Sequence, residues 1–238
     1  MKLFQDRMFQ TERFRAPSEF ADLRLERCLF SNCLVGTTTY AGWRVQIRNV
    51  EIVHCSSLAG TRVGPVIAED CFIDGLQTDD RITALSQPLL KHVVIRGRIG
   101  KLGIGDKPVL PSSAQSKREY EALEAALTAE KEAFYKTVDW ALDISEAEAE
   151  YLSVYGIPLN LIRRDAKSQI IVQRSKLEDP EWEKALDPDN WWRSHLRGCP
   201  WEYAEILLVA PKNCPPRKYQ KILRDLYELR DMGFTKPD

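Results

Sequence analysis

The chain has 238 residues, with 34 Lys and Arg against 35 Asp and Glu, a net charge of -1 and 44% hydrophobic residues. That balance excludes a chain-wide basic footprint for nucleic acid or an anionic membrane, and with no run of about 18 apolar residues no membrane-spanning helix is expected. The charged opening "MKLFQDRMFQTERFR" lacks the apolar stretch of a secretory signal, so the six cysteines are expected to be reduced thiols of a cytoplasmic protein.

Residues 1–19 are expected to cap the strands that come after them, because a stack of strands otherwise ends on exposed core and unpaired edges. Between 20 and 110 four stretches align: "RCLFSNC" from Arg27, "NVEIVHC" from Asn49, "DCFIDGL" from Asp70 and "HVVIRGR" from His92. Their second residues, Cys28, Val50, Cys71 and Val93, lie 22, 21 and 22 apart. Apolar residues recur two positions further on (Phe30, Ile52, Ile73, Ile95) and, in three copies, five further on (Cys33, Cys55, Leu76). Alternation of period two marks strands with one buried face. Its return every 21–22 residues predicts a short parallel β-helix with Gly36, Gly60, Gly75, Gly97 and Gly100 at its corners. The cysteines then fill inward columns shared with Val and Leu, and no paired C-x2-C spacing suits zinc, so they are read as core.

In the first copy the spacing also falls to five, as "FADLR", "LERCL" and "FSNCL", with Leu23, Cys28 and Cys33 central and Ala21, Glu26 and Ser31 two positions earlier. "EDCFIDGL" around Cys71 and Leu76 keeps the same rhythm. This resembles the pentapeptide-repeat family over residues 20–105, and the resemblance implies a right-handed β-helix, here with irregular coils of 21–22 residues. One outward column reads Arg27, Asn49, Asp70 and His92, a polar ladder expected to be solvated and cross-bonded. Another reads Leu29, Glu51, Phe72 and Val94, and its apolar members Leu29, Phe72 and Val94 require a cover from this chain or a partner.

After Pro108 and Pro111, with "SSAQS" offering N-caps, residues 111–238 are expected to form a mostly α-helical module with a short β-hairpin. Residues 117–141 are rich in Ala, Glu, Leu and Lys. "SEAEAEYLSVYG" opens on a Ser145–Glu148 capping box and stops at Gly156, which predicts a second helix. "LNLIRRDAKSQIIVQ" reads as two strands about a turn at 165–168, residues 179–186 and 189–197 as short helices, and "AEILLVAP" as a buried strand or helix end. An amphipathic helix is expected over 216–232. The expected fold class is therefore α+β, a short right-handed parallel β-helix followed by a mostly helical module.

"DNWWRSHLRGCPWEY" gathers Trp191, Trp192 and Trp201 with Arg193, His195 and Arg197, the composition of a binding hot spot; an aromatic core is the alternative. No catalytic signature stands out. His54, His92 and His195 are far apart in sequence, and "RIGKLGIG" lacks the Lys-Ser/Thr end of a phosphate loop. Asp143 with Asp165 and Lys167 resembles the acid-and-lysine layout of metal-dependent nucleases, whose carboxylates hold Mg²⁺. Residues 20–110 carry eleven Lys/Arg against nine Asp/Glu, the wrong sign for a protein that imitates DNA. The sequence is read as a non-enzymatic scaffold that binds another protein, of the bacterial immunity, inhibitor or adaptor type, with no metal, cofactor, membrane or nucleic acid. A metal-dependent hydrolase with its site in residues 140–200 is the second reading, and a structural subunit of a homo-oligomer the third.

Overall fold

The computed structural model describes residues 1–36, 43–106, 117–179, 181–200 and 202–236. Lys2–Gln5 (β1), Glu19–Glu26 (β2), Val45–Val53 (β3), Phe72–Asp74 (β4) and Val93–Gly105 (β5) lie side by side, all parallel. Leu142–Asp143 (β6) and Ala147–Val154 (β7) add to β5, and Ile162–Arg163 (β8) adds to β6. The thirteen residues of β5 bend the sheet on itself: one end pairs β4 through Val94–Arg96, the other pairs residues 83–86 through Leu102–Gly105. Parallel pairing continues from there through residues 62–63 and 34–35 to 13–14. A four-stranded parallel sheet from residues 8–10, 29–31, 56–58 and 77–78 completes the curl.

Side chains that point inward along these strands meet in one apolar interior, including Val50, Cys55, Leu76, Val93, Ile95, Ile99 and Leu142. The bends are made by residues with positive φ. Asp6, Arg27, His54, Gly75 and Gly97 form one column of them. Each donates its N–H to the neighbouring strand, from Asp6 to Glu26 O at 3.0 Å through His54 to Asp74 O at 2.7 Å and Gly97 to Glu146 O at 3.2 Å. Two members are glycines in crowded places: a Cβ at Gly75 would sit 2.8 Å from His54 Nδ1, and one at Gly97 2.5 Å from Asp74 Oδ1, so either substitution has to displace that side chain.

The register corrects the repeat alignment. Ile52 lies beside Ile73 and Ile73 beside Ile95, but Leu23 lies beside Val50, so the first step is 27 residues. Cys28 therefore neighbours Cys55, its N–H reaching Cys55 Sγ at 3.3 Å, and Phe30 lies beside Ser57 rather than Ile52. A slip of five is nearly silent in "FADLRLERCLFSNCL", where Leu23, Cys28 and Cys33 are interchangeable by type.

The α+β expectation, a short right-handed β-helix followed by a helical module, is overturned. The protein is 41% strand and 23% helix, dominated by the large curled parallel sheet. Its α-helices among the described residues are four: Lys117–Tyr135 (α1), Trp182–Ala185 (α2), Trp192–Gly198 (α3) and Pro216–Asp231 (α4). "AEAEYLSV" is strand β7: Ala147 and Ala149 turn inward against Glu148 and Glu150, past Glu150 the inward residues are Leu152 and Val154, and Ser145 bonds Asp143 instead of closing a capping box. Residues 162–163 and 169–173 do not form a hairpin: the first pair extends the parallel sheet, while Gln169–Gln173 (β9) pairs antiparallel with Glu205–Val209 (β10). Residues 1–19 contribute strands to both parallel sheets. Pro108, Pro111 and "SSAQS" lie outside the described residues.

The β9–β10 pair is apolar on both faces, which explains its unbroken "IIV" and "ILLV". Ile171, Leu207 and Val209 face the interior of the curled sheet. Ile170, Val172, Ile206 and Leu208 face a second core with Trp182, Trp192, Leu196, Ile222, Leu226 and Leu229. No helix among the described residues is long and apolar enough to cross a membrane.

Candidate binding cleft

The start of α3 is pinned to α4. Asn190 Oδ1 accepts the Trp192 N–H at 2.8 Å, while Asn190 Nδ2 donates to Asp225 O at 3.1 Å and Glu228 Oε2 at 2.7 Å. Asp225 Oδ2 accepts the Trp191 N–H at 3.0 Å and Lys221 Nζ at 2.7 Å. This clamp sends the two adjacent tryptophans apart. Trp192 is buried and its indole N–H donates to Ile222 O at 3.2 Å. Trp191 is half-buried, with Lys218 Nζ 4.7 Å from its ring centre and its indole Nε1 enclosed without an acceptor among the described residues.

Beside them opens a cleft of about 380 Å³. One wall is Glu150–Ser153 of β7 and Tyr155; another is Leu207–Val209 of β10; α3 and the residue before it supply Trp191, Trp192, Ser194 and His195. His195 Nδ1 lies 3.3 Å from Trp191 O, a carbonyl that can only accept, so Nδ1 is the donor of that contact. At the base, the Tyr155 hydroxyl donates to Cys199 Sγ at 3.6 Å, and its ring stacks on Tyr203 at 5.0 Å. Tyr203 in turn donates to the Asp106 carboxylate. Buried Arg174 holds the far end of α3 through the carbonyls of Cys199 (3.2 Å) and Pro200 (2.8 Å). Burial pushes both the Cys199 thiol and the Tyr155 phenol up, so neither is charged at neutral pH.

Each of the two strand walls is paired with one neighbouring strand among the described residues. β7 is bonded to β5 on one side, and its parity changes along the way: Glu146 O accepts the Gly97 N–H at one end, whereas the Tyr155 N–H donates to Ile104 O at the other, so Glu148 turns its backbone groups to β5 before the change and Ser153 does so after it. β10 is bonded to β9 on one side. There Arg174 N–H to Ala204 O and Ala210 N–H to Ser168 O leave Leu207 and Val209 directed away from β9. The edges touch where Asn213 N–H reaches Ala149 O at 3.2 Å. Beyond that contact, no backbone hydrogen bond joins them among the described residues.

Of the residues singled out in the tryptophan-rich segment, Trp191, Trp192 and His195 are brought together in the cleft. Arg193 flanks it half-buried, Arg197 turns away to Glu183 with Nε–Oε1 at 2.8 Å, and Trp201 lies outside the described residues. The cleft's β7 wall was hidden, because "EAEYLS" reads as helix, whereas "AEILLVAP" offered the β10 wall as one of its two readings.

The other candidates are scattered. Phe72 and Val94 are neighbours across β4 and β5, but Leu29 lies in the four-stranded sheet beside Met8 and Ser56; Arg96 covers Phe72 at 4.5 Å. Asn49, Asp70 and His92 share one bend with Asp22, whereas Arg27 belongs to the next bend and pairs with Asp6 at 2.8 Å. Asp143 Oδ1 accepts Ser145 N–H (3.0 Å) and Oγ–H (2.7 Å). Asp165 accepts Lys167 N–H (3.0 Å), Ser168 Oγ–H (2.6 Å) and Lys212 Nζ (3.1 Å), while the Lys167 residue is exposed. Burial alone would raise the Asp165 carboxyl, but those three donors hold it below the usual carboxylate range. Among the described residues, no group of three or more His, Cys, Asp or Glu is arranged to hold a metal ion. Compared with known proteins, the chain matches no family model, no curated protein and no solved structure.

Proposed function

We propose that this is a non-catalytic binding protein, an adaptor or inhibitor type of scaffold, that grips a segment of another protein in the cleft between β7, β10 and α3. The observation that carries this reading is that Trp191, Trp192 and His195, aromatic groups of the kind that dominate binding energy, line a cleft on a rigid wall of paired strands. Asp143 and Asp165 are occupied by Ser145, Ser168 and Lys212, which leaves the hydrolase reading without a support of comparable weight. The protein works in the cytoplasm in this reading, where its thiols stay reduced.

The test is site-specific photocrosslinking. With benzoylphenylalanine in place of exposed Ser194 at the cleft, irradiation in native extract is expected to capture one protein, competed away by unlabelled wild type. The same probe in place of exposed Ser175 on the intact protein is the control. Equal capture from both positions, or none from position 194, would defeat the proposal.

A further inference from the structure

Residues 2–14 supply the outermost strands of the protein. β1 and Arg13–Phe14 stand at the two ends of the large sheet's run of strands, and Met8–Gln10, between them in the chain, ends the four-stranded sheet. Among the described residues each is paired on one side only, with Leu23–Glu26, Leu34–Val35 and Leu29–Ser31 respectively. Phe4, Phe9 and Phe14 are half-buried there, with Leu3 and Met8 exposed beside them, whereas Cys28 and Cys33 on the adjoining segments are buried. We propose that this open edge is where two copies of the protein pair, about a two-fold axis at Phe9. The inference stands apart from the binding reading, because none of these strands pairs with β7 or β10.

The backbone of the edge is complementary to itself. Arg7 O accepts the Leu29 N–H at 2.8 Å, and the Thr11 N–H donates to Ser31 O at 2.9 Å. Between them Phe9 turns its backbone groups to the neighbouring strand, and Met8 and Gln10 turn theirs to the free side. By the same alternation, Asp6 N–H to Glu26 O leaves Leu3 and Gln5 on the free side, and Glu12 O and Phe14 O, which accept from Leu34 and Gly36, leave Arg13 there. The two-fold axis sets Met8 opposite Gln10 and Gln5 opposite Arg13 of the second copy. Every one of these residues offers its N–H and C=O to an antiparallel neighbour.

Charge selects a second copy over an unrelated strand. Asp6 is already paired with Arg27 at 2.8 Å, which leaves Arg7 as the free charge of its bend. Glu12 is the free charge of the next bend; both side chains are on exposed residues, and neither has an ion-pair partner among the described residues. The axis carries the bend at 6–7 onto the bend at 11–12, so Arg7 of each copy comes beside Glu12 of the other, twice in one dimer.

Sedimentation equilibrium of the full chain at tens of micromolar is expected to show a dimer. Arg7→Glu and Glu12→Arg, each of which sets like charges together, should weaken association by about tenfold or more, and the double swap should restore it. Gln10→Pro removes a free-side N–H that bonds nothing among the described residues, and should give a monomer with unchanged circular dichroism. If that variant does not fold, the charge swap decides. A wild-type monomer at this concentration would overturn the proposal. So would a dimer indifferent to a folded Gln10→Pro, or a double swap that associates no better than either single variant.

Discussion

Arg44 donates from Nε and Nη2 to the two carboxylate oxygens of Glu130, each at 2.9 Å, across 86 residues of chain. Its third nitrogen donates to the Gln87 carbonyl, and the side chain is almost wholly buried. The pair fastens α1, which lies in the excursion between β5 and β6, to the sheet it left. Glu130→Gln leaves a buried guanidinium without its counter-charge, and urea unfolding should show a loss of about 3 kcal/mol. The double variant Arg44→Met, Glu130→Leu should recover most of that loss, because no buried charge remains to be desolvated. A single variant as stable as wild type would mean that the fork contributes nothing.

Gly100 is required by proximity, not by its dihedral angles. A Cβ there would lie 2.3 Å from Thr78 Oγ1 and 2.6 Å from Thr78 N, and Oγ1 is itself fixed by accepting the Lys101 N–H at 2.6 Å. Backbone cannot retreat cheaply, so Gly100→Ala should cost about 3 kcal/mol. Gly105, with open space around its Cβ position, is the internal control: Gly105→Ala should change the unfolding midpoint little, within about 0.5 kcal/mol.

These two contacts illustrate what the sequence carried and what it did not. Period-two alternation in "VQIRNVEIV" and "DCFID" marked strands correctly, because a sheet buries one face and leaves that trace in every residue pair. Register was legible only where neighbouring strands differ in their residue types, as with Ile52, Ile73 and Ile95, and not where Leu23, Cys28 and Cys33 repeat at five. β7 was misread because Ala and Glu favour helix in isolation, a preference that a partner strand such as β5 overrides. The cleft was half visible. Trp191, Trp192 and His195 announce themselves by type, whereas the β7 wall at Tyr151 and Leu152 is set by pairing with β5 and has no composition signal.

The thiols give a direct check on which way the inner columns face. Cys28, Cys33, Cys55, Cys71 and Cys199 are buried, and Cys214 is half-exposed. Loss of solvation raises the Cys55 thiol to about 11, so it holds its proton at about pH 8. Titration of the native protein with a thiol-reactive disulfide should therefore register one fast group, lost in Cys214→Ser, and the remaining five only on unfolding. Two or more fast groups in the native state would place a supposed core column at the surface.

His92 joins three segments that are distant in sequence. Its Nε2 lies 2.6 Å from Asp139 Oδ1, its Nδ1 lies 3.0 Å from Asp70 Oδ1, and its ring packs at a tilt against Trp140 with centroids 4.7 Å apart, whose indole is covered by Arg163 at 4.1 Å. The hydrogen bond to Asp139, then that to Asp70, raises the imidazole above its ordinary value, and His92 in turn lowers Asp139. A raised imidazole contributes stability that is complete below the unfolded value of about 6.5 and fades as pH rises through the folded one. A lowered carboxyl contributes above its unfolded value of about 3.9 and fades as pH falls through the folded one, so the clasp is strongest between about pH 4 and 6.5. Asn tolerates the positive φ of 54° at this bend, which makes His92→Asn a test of charge rather than of backbone strain. Its urea midpoint should fall further below wild type at about pH 5.5 than at about pH 8.5. Equal deficits at the two pH values would assign the contribution of His92 to its packing against Trp140 and remove the ion pairs from the account.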